Sequence, residues 1–253
     1  MAIMKPPAVL LKEVGFIYPG QNSMCIKNMN LEIEAGESFG LFGPNGAGKT
    51  TMMHLMTGLL HPLQGSISLL GKQVKKHDKT FTRHFGFVPQ EFSFYQELTP
   101  AENLEFFGAW AGLHKSQVKI RTNEVLEVLS LSDVRNKPVY KFSGGMKRRV
   151  NLAIAVMHQP EILFLDEPTV GVDVETRHAI INYLRGLNAA GTTLVYTSHQ
   201  LNEAEELCNK IALINRGRII VNDHLDTLLK EHQEDGLEGL FISLTGSDIC
   251  YFE

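Results

Sequence analysis

The sequence predicts an α/β fold, a phosphate-loop core of strands and helices interrupted by a helical insertion, and three observations carry that prediction. Gly43-Pro44-Asn45-Gly46-Ala47-Gly48-Lys49-Thr50-Thr51 fits the pattern of a Gly, four residues, then Gly-Lys-Ser/Thr. Short apolar runs of strand length precede that loop and recur at 161–168 and 192–196, each ending in polar residues. From 91 to about 158, apolar residues recur instead at helical spacing.

From the N-terminus, residues 9–18 and 28–34 carry strand signals, with Met29, Leu31 and Ile33 alternating with polar neighbours. Tyr18-Pro19-Gly20 sets an aromatic at a turn ahead of the loop. Stacked on a purine, such a ring gains about 1 kcal/mol beyond its buried area, although ordinary packing is the commoner fate of a tyrosine. The turn Glu34-Ala35-Gly36-Glu37 feeds a strand at 38–42, and 51–57 reads as a helix stopped by Gly58. Strand, glycine loop and helix are the context that the motif requires. Gly43, Gly46 and Gly48 let the backbone turn its amides inward, where they and the positive end of the helix surround a polyphosphate. Lys49 would reach the β- and γ-phosphates, and the Thr50 hydroxyl would ligate Mg2+. The loop therefore points to a nucleoside triphosphate.

Strand signals follow at 65–70 and 85–88, the second ending at Pro89-Gln90. Thr99-Pro100-Ala101-Glu102 is a helix start with a capping box and Pro at the first helical position. Leu104, Phe107 and Ala111 then recur at helical spacing, with Phe106 and Trp110 broadening the apolar face, and a second helical pattern runs through Val118, Val125 and Leu129. Ser143 is a good N-cap for a helix that would bury Met146, Val150, Ala153, Ile154 and Met157. Gly144 and Gly145 in its first turn leave amides open to an anion; a capped helix with a basic first turn, Lys147-Arg148-Arg149, accounts for the same residues equally well. The apolar run at 161–168 ends in Asp166 and Glu167, where an α/β sheet places its chemistry. Asp166 suits Mg2+, and Glu167 suits polarising the water that attacks the γ-phosphate. The strand at 192–196 delivers Thr197-Ser198-His199; a lone histidine at a strand end is usually structural, but beside such groups it can sense a γ-phosphate.

Composition limits the function classes. At 253 residues and 43% hydrophobic, the chain suffices for one large α/β domain, or one domain carrying an inserted subdomain. No apolar run approaches the roughly 20 residues of a membrane-spanning helix, so a membrane role has to come through a partner. The formal net charge of −4 gives no electrostatic reason to expect nucleic acid. Cys25, Cys208 and Cys250 fit no metal-ligand spacing, and reduced thiols in a cytosolic protein are expected.

Taken together, these stretches resemble the ATP-binding subunit of an ABC transporter, in the family's order along nearly the whole chain. Tyr18 matches the adenine-stacking position, Gly43 to Thr51 the Walker A loop and Gln90 the Q-loop; Ser143, Gly144 and Gly145 match the signature. Residues 162–166 match Walker B, with Glu167 as catalytic glutamate, Asp173 as the D-loop aspartate and His199 as the switch histidine. The resemblance implies a phosphate-loop NTPase core of ABC type (1–90 and 159–229), an N-terminal antiparallel β subdomain, an inserted α-helical subdomain (91–158) and a C-terminal tail (230–253). It implies ATP as substrate, catalysis by Glu167, His199 and Lys49, and Mg2+ held by Thr50, Gln90 and Asp166. It further implies a homodimer or heterodimer in which Ser143 to Gly145 of one chain meet the ATP of the other. A transmembrane permease would hold that dimer on the cytoplasmic face of the inner membrane. Residues 97–104, 169–173 and 237–246 are similar to the type-two exporter group, which moves drugs, lipids, polysaccharides or ions outward, and the ending at Phe241 to Gly246 implies a complete chain. Two departures stand out: the signature reads Phe-Ser-Gly-Gly-Met, with Met146 replacing the usual Gln, and the D-loop reads Val170-Gly171-Val172-Asp173. The alternative is a soluble ABC ATPase of the iron-sulfur assembly, DNA-repair or translation type.

Overall fold

A computed structural model describes residues 6–75, 82–198 and 200–245. They form two compact units, Met1–Lys79 with Asn188–Glu253, and Thr80–Leu187.

In the first unit, β1 (Val9–Phe16) pairs antiparallel with β2 (Ile26–Ile33) and β4 (Gln64–Leu69), and β5 (Lys72–Gln73) completes the order β2-β1-β4-β5. Met29, Leu31 and Ile33 turn inward as their alternation predicts, because one face of an antiparallel sheet can stay wet while the other packs. A second set of strands is parallel at its centre. β3 (Ser38–Phe42) runs parallel to both β8 (Thr193–Thr197) and β9 (Lys210–Asn215), and β10 (Arg218–His224) closes on β9 as an antiparallel hairpin. Every residue of β3 and β8 is buried, which explains why these stretches read as continuous rather than alternating apolar runs. The helices here are α1 (Lys49–Met56), α6 (Leu201–Leu207), α7 (Leu225–His232) and α8 (Leu237–Thr245). The segment expected as a tail from 230 is helical for most of its described length, and α8 buries Leu237, Leu240 and Phe241.

In the second unit, β6 (Phe85–Val88) pairs parallel with β7 (Ile162–Asp166), in register from Phe85 opposite Ile162 to Val88 opposite Leu165. Its helices are α2 (Pro100–Trp110), α3 (Lys115–Val128), α4 (Gly144–Val156) and α5 (Val174–Ala189), the last of which ends past the unit's boundary. Helix α2 begins as expected, with Thr99 and Glu102 each bonding the other's backbone. Helix α4 lies so close to β6 that a Cβ on Gly86 would sit 2.2 Å from the Ala155 carbonyl oxygen. Two expectations about helix faces need correcting. Phe106 and Trp110 do not widen a buried face: they are 40% and 71% exposed, and their rings cover one another and Phe107 and Tyr95 instead of the core. Met146 and Ile154 are only half-buried, whereas Val150, Ala153 and Met157 are buried as expected, and Gly145, Arg148, Asn151, Leu152 and Ala155 are buried as well.

Candidate functional site

Two clusters hold the residues singled out by sequence, one in each unit. In the first, the fully buried strand β3 delivers the glycine loop to the N-terminus of α1. Gly46 and Gly48 adopt φ of 77° and 112°, values at which any Cβ would be strained, and a Cβ on Gly46 would meet nothing within 4 Å. The space beside Gly46 is thus open, as a polyphosphate site needs. Gly43 is glycine for a different reason: its φ is not positive, but a Cβ there would lie 2.1 Å from the Ile214 carbonyl oxygen. The β9–β10 turn backs the loop, with the Gly217 amide donating to the Ala47 carbonyl at 3.0 Å.

Lys49 opens α1, is 6% exposed, and donates from Nζ to the Gly43 carbonyl at 2.7 Å and the Pro44 carbonyl at 3.3 Å. The ammonium is folded back on its own loop, and a phosphate offers it a charged acceptor that a neutral carbonyl does not match. Thr50 is exposed beside it. The half-buried Tyr18 sits edge-on to Phe16 and shares a 3.0 Å hydrogen bond with the Thr51 hydroxyl, which ties it to the first turn of α1. Residues 44–47 line a cleft of about 290 Å³ with Asn215, Arg216 and Phe241.

His199 lies outside the described residues, as does Gly246. On the near side of His199, Ser198 and Tyr196 both donate to the carboxylate of Glu203, which is fully buried, and the Gln200 amide donates to the Ser198 hydroxyl at 2.9 Å.

The second cluster forms where β7 ends. Asp166 is 1% exposed and Glu167 7%, and Glu167 takes a φ of 50°, a left-handed conformation that is costly for a glutamate. The Gln90 side chain donates to Glu167 Oε2 at 2.9 Å, so structure joins the two residues that sequence placed far apart. Ser143 caps α4 by accepting from the Met146 amide at 3.3 Å; Gly144 is exposed and Gly145 buried against Thr176 and Asp173. Asp173 caps α5, accepting from the Thr176 amide and hydroxyl at 2.8 Å each, and these bonds hold its carboxyl below the usual range.

Sequence reasoning missed Arg148, read there only as part of a basic first turn. It is 7% exposed, donates to the Gln90 and Val170 carbonyls, and lies 4.8 Å over the Phe92 ring. A signal existed: Arg148 falls three residues from both Gly145 and Asn151 on the buried face, and Asn151 also reaches this strand end, donating to the Pro89 carbonyl. Ile214 and Gly217 were missed as well, and no local pattern marks them.

A family model described as ABC transporter matches residues 26–170. The linearmycin resistance ATP-binding protein of Bacillus subtilis is 43% identical over 195 residues, covering 77% of this chain and 63% of its own length. A Nod factor export ATP-binding protein I of Sinorhizobium fredii is 39% identical over 210 residues, covering 83% and 61%. The chain thus spans less than two thirds of the length of these relatives. A solved ATP-binding subunit of an ABC transporter aligns with a TM-score of 0.86 at 27% identity, over 94% of this chain and 99% of that one. A dimeric ATP-binding cassette in a post-hydrolysis state, bound to ADP and Pi, aligns with a TM-score of 0.79 at 29% identity, over 86% and 98%.

Proposed function

The chain belongs to the ABC transporter family, and from that premise we propose that it binds and hydrolyses ATP to power export by a membrane-spanning partner. The observation that carries the reading is the phosphate loop itself: Lys49 turned onto the loop at the start of α1, with open space beside Gly46. Residues 43–51 would hold the phosphates, with Lys49 on the β- and γ-oxygens, and Tyr18 would take the adenine. Glu167 would accept the proton of the attacking water, held for that task by the amide of Gln90. Bound Mg2+, for which Thr50, Gln90 and Asp166 are the proposed ligands, would neutralise charge developing on the phosphate oxygens. His199 would contact the γ-phosphate. Ser143, Gly144 and Gly145, beside the D-loop Asp173, would complete the ATP site of a second copy of this chain or of a close relative. The dimeric state of the ADP-bound cassette supports that arrangement.

Export is supported by what the two curated relatives are named for, Nod factor export and linearmycin resistance. Among the described residues no helix is long and apolar enough to cross a membrane. The partner proposed here is a permease, with this chain on its cytoplasmic face. The exposed rings of Tyr95 and Trp110, each near Phe106, suit a cytoplasmic helix of that partner. The ATPase reading is tested by phosphate release from the purified chain: release with Mg-ATP that stops when EDTA removes the metal is expected, and no release in either condition refutes it.

A further inference from the structure

Arg148 is a cation in a buried place, 7% exposed. Burial lowers its pKa, and the charges of Glu167 and Asp166 oppose that shift. Its hydrogen bonds go to main-chain oxygens: Nη1 donates to the Gln90 carbonyl at 2.5 Å and Nε to the Val170 carbonyl at 3.3 Å, while the guanidinium carbon lies 4.8 Å from the centroid of the Phe92 ring. A guanidinium is a rigid fork, so bonding two carbonyls at once fixes the segment after β6 relative to the segment after β7. Both segments bear on Glu167. Gln90 is held at its backbone by Arg148 while its side chain donates to Glu167 Oε2, and Val170 lies three residues past Glu167 in the chain. Glu167 itself keeps a left-handed backbone that persists only where its surroundings enforce it.

We propose that Arg148 is a positioning residue for hydrolysis: it fastens the main chain at Gln90 and Val170, so that the Gln90 amide stays on Glu167 and the orientation of that carboxylate follows helix α4. The role rests on the ATPase reading. Because α4 also carries Ser143 to Gly145 at its N-terminus, engagement of that turn by a second subunit's nucleotide is transmitted through Arg148 to the general base of this subunit.

The test compares Arg148→Met, Arg148→Lys, Gln90→Ala and the double variant Arg148→Met/Gln90→Ala. Methionine keeps an apolar stem and removes every donor; lysine keeps the charge but cannot span two carbonyls. Arg148→Met is expected to lower kcat for Mg-ATP by about 10- to 100-fold, the scale of a small misplacement of a reacting group, with KM within about twofold. Arg148→Lys does not restore it. The double variant is no slower than its slower parent, because both substitutions break one chain of contacts. A residue that merely stabilised the fold would multiply with Gln90→Ala. Wild-type kcat in Arg148→Met, or a multiplicative double variant, overturns the proposal. Hydrogen exchange without nucleotide reads the clamp independently of ATPase activity: peptides covering 89–95 and 168–173 are expected to exchange on the order of tenfold faster in Arg148→Met, with 152–157 unchanged. Unchanged exchange at 89–95 refutes the clamp, whereas a wild-type chain that releases no phosphate refutes the ATPase reading on which the role depends.

Discussion

Glu167→Gln is expected to bind Mg-ATP as the parent chain does and to hydrolyse it about 10²- to 10⁴-fold more slowly, the range for losing a general base. The substitution is nearly isosteric at a position 7% exposed, and glutamine keeps an oxygen that can accept the Gln90 amide, so the local hydrogen bond survives. What disappears is the capacity to take a proton from water. The left-handed backbone is retained too, since neither residue has a branched β-carbon and the strain at φ 50° is common to both. ATP-bound protein should therefore accumulate. Phosphate release at saturating ATP measures the effect, and turnover near that of the parent would remove Glu167 from the chemistry.

Lys49→Ala is expected to lower kcat/KM by about 10²- to 10³-fold or more, on the scale of deleting one preorganised donor to a developing oxyanion. The lysine is 6% exposed and donates to the Gly43 and Pro44 carbonyls. Losing those two bonds leaves oxygens that water or neighbouring amides can reach, so the fold should lose no more than about 1–2 kcal/mol. A variant that melts near the parent temperature but no longer turns over ATP gives the expected result. Undiminished hydrolysis would show that the loop does not hold the phosphates.

The same two residues illustrate what sequence could and could not carry. Their positions were legible because loop, helix start and strand end are local patterns: β3 and β7 are buried along their whole length and read as apolar runs. The link from Gln90 to Glu167 joins two strand ends with the whole of α2 to α4 between them in the chain, and no periodicity predicts it. Gly43 was read as a flexible turn residue, yet it is required by its closeness to Ile214, a partner that only the sheet brings near. Helical spacing identified Leu104, which is fully buried, but counted Phe106 and Trp110 with it, because hydrophobicity marks an apolar face without saying whether the chain itself covers it. Arg148 was overlooked for the opposite reason: a basic residue near a helix start is ordinarily solvated, whereas here the carbonyls of Gln90 and Val170, the Phe92 ring and the charges of Glu167 and Asp166 offset its burial.

In the proposed dimer ATP joins two subunits through the turn at Ser143 to Gly145, and the structure selects the variant that tests this contact. A new side chain at Gly145 would meet Thr176 at 3.2 Å and the Asp173 carboxylate at 3.5 Å, which would disturb the cap of α5 in the isolated chain. Gly144 is exposed, and a Cβ there has only the Gly171 carbonyl at 3.5 Å, an ordinary contact. Gly144→Asp therefore leaves the subunit intact while setting a carboxylate against the γ-phosphate of the opposed ATP, a like-charge pairing that costs several kcal/mol where both groups are desolvated. The measurement is the mass, by light scattering after size exclusion in Mg-ATP, of Glu167→Gln with and without Gly144→Asp. A dimer for Glu167→Gln alone and a monomer that still binds ATP for the double variant is the expected result, and equal dimer in both would show that this turn does not meet the opposed ATP.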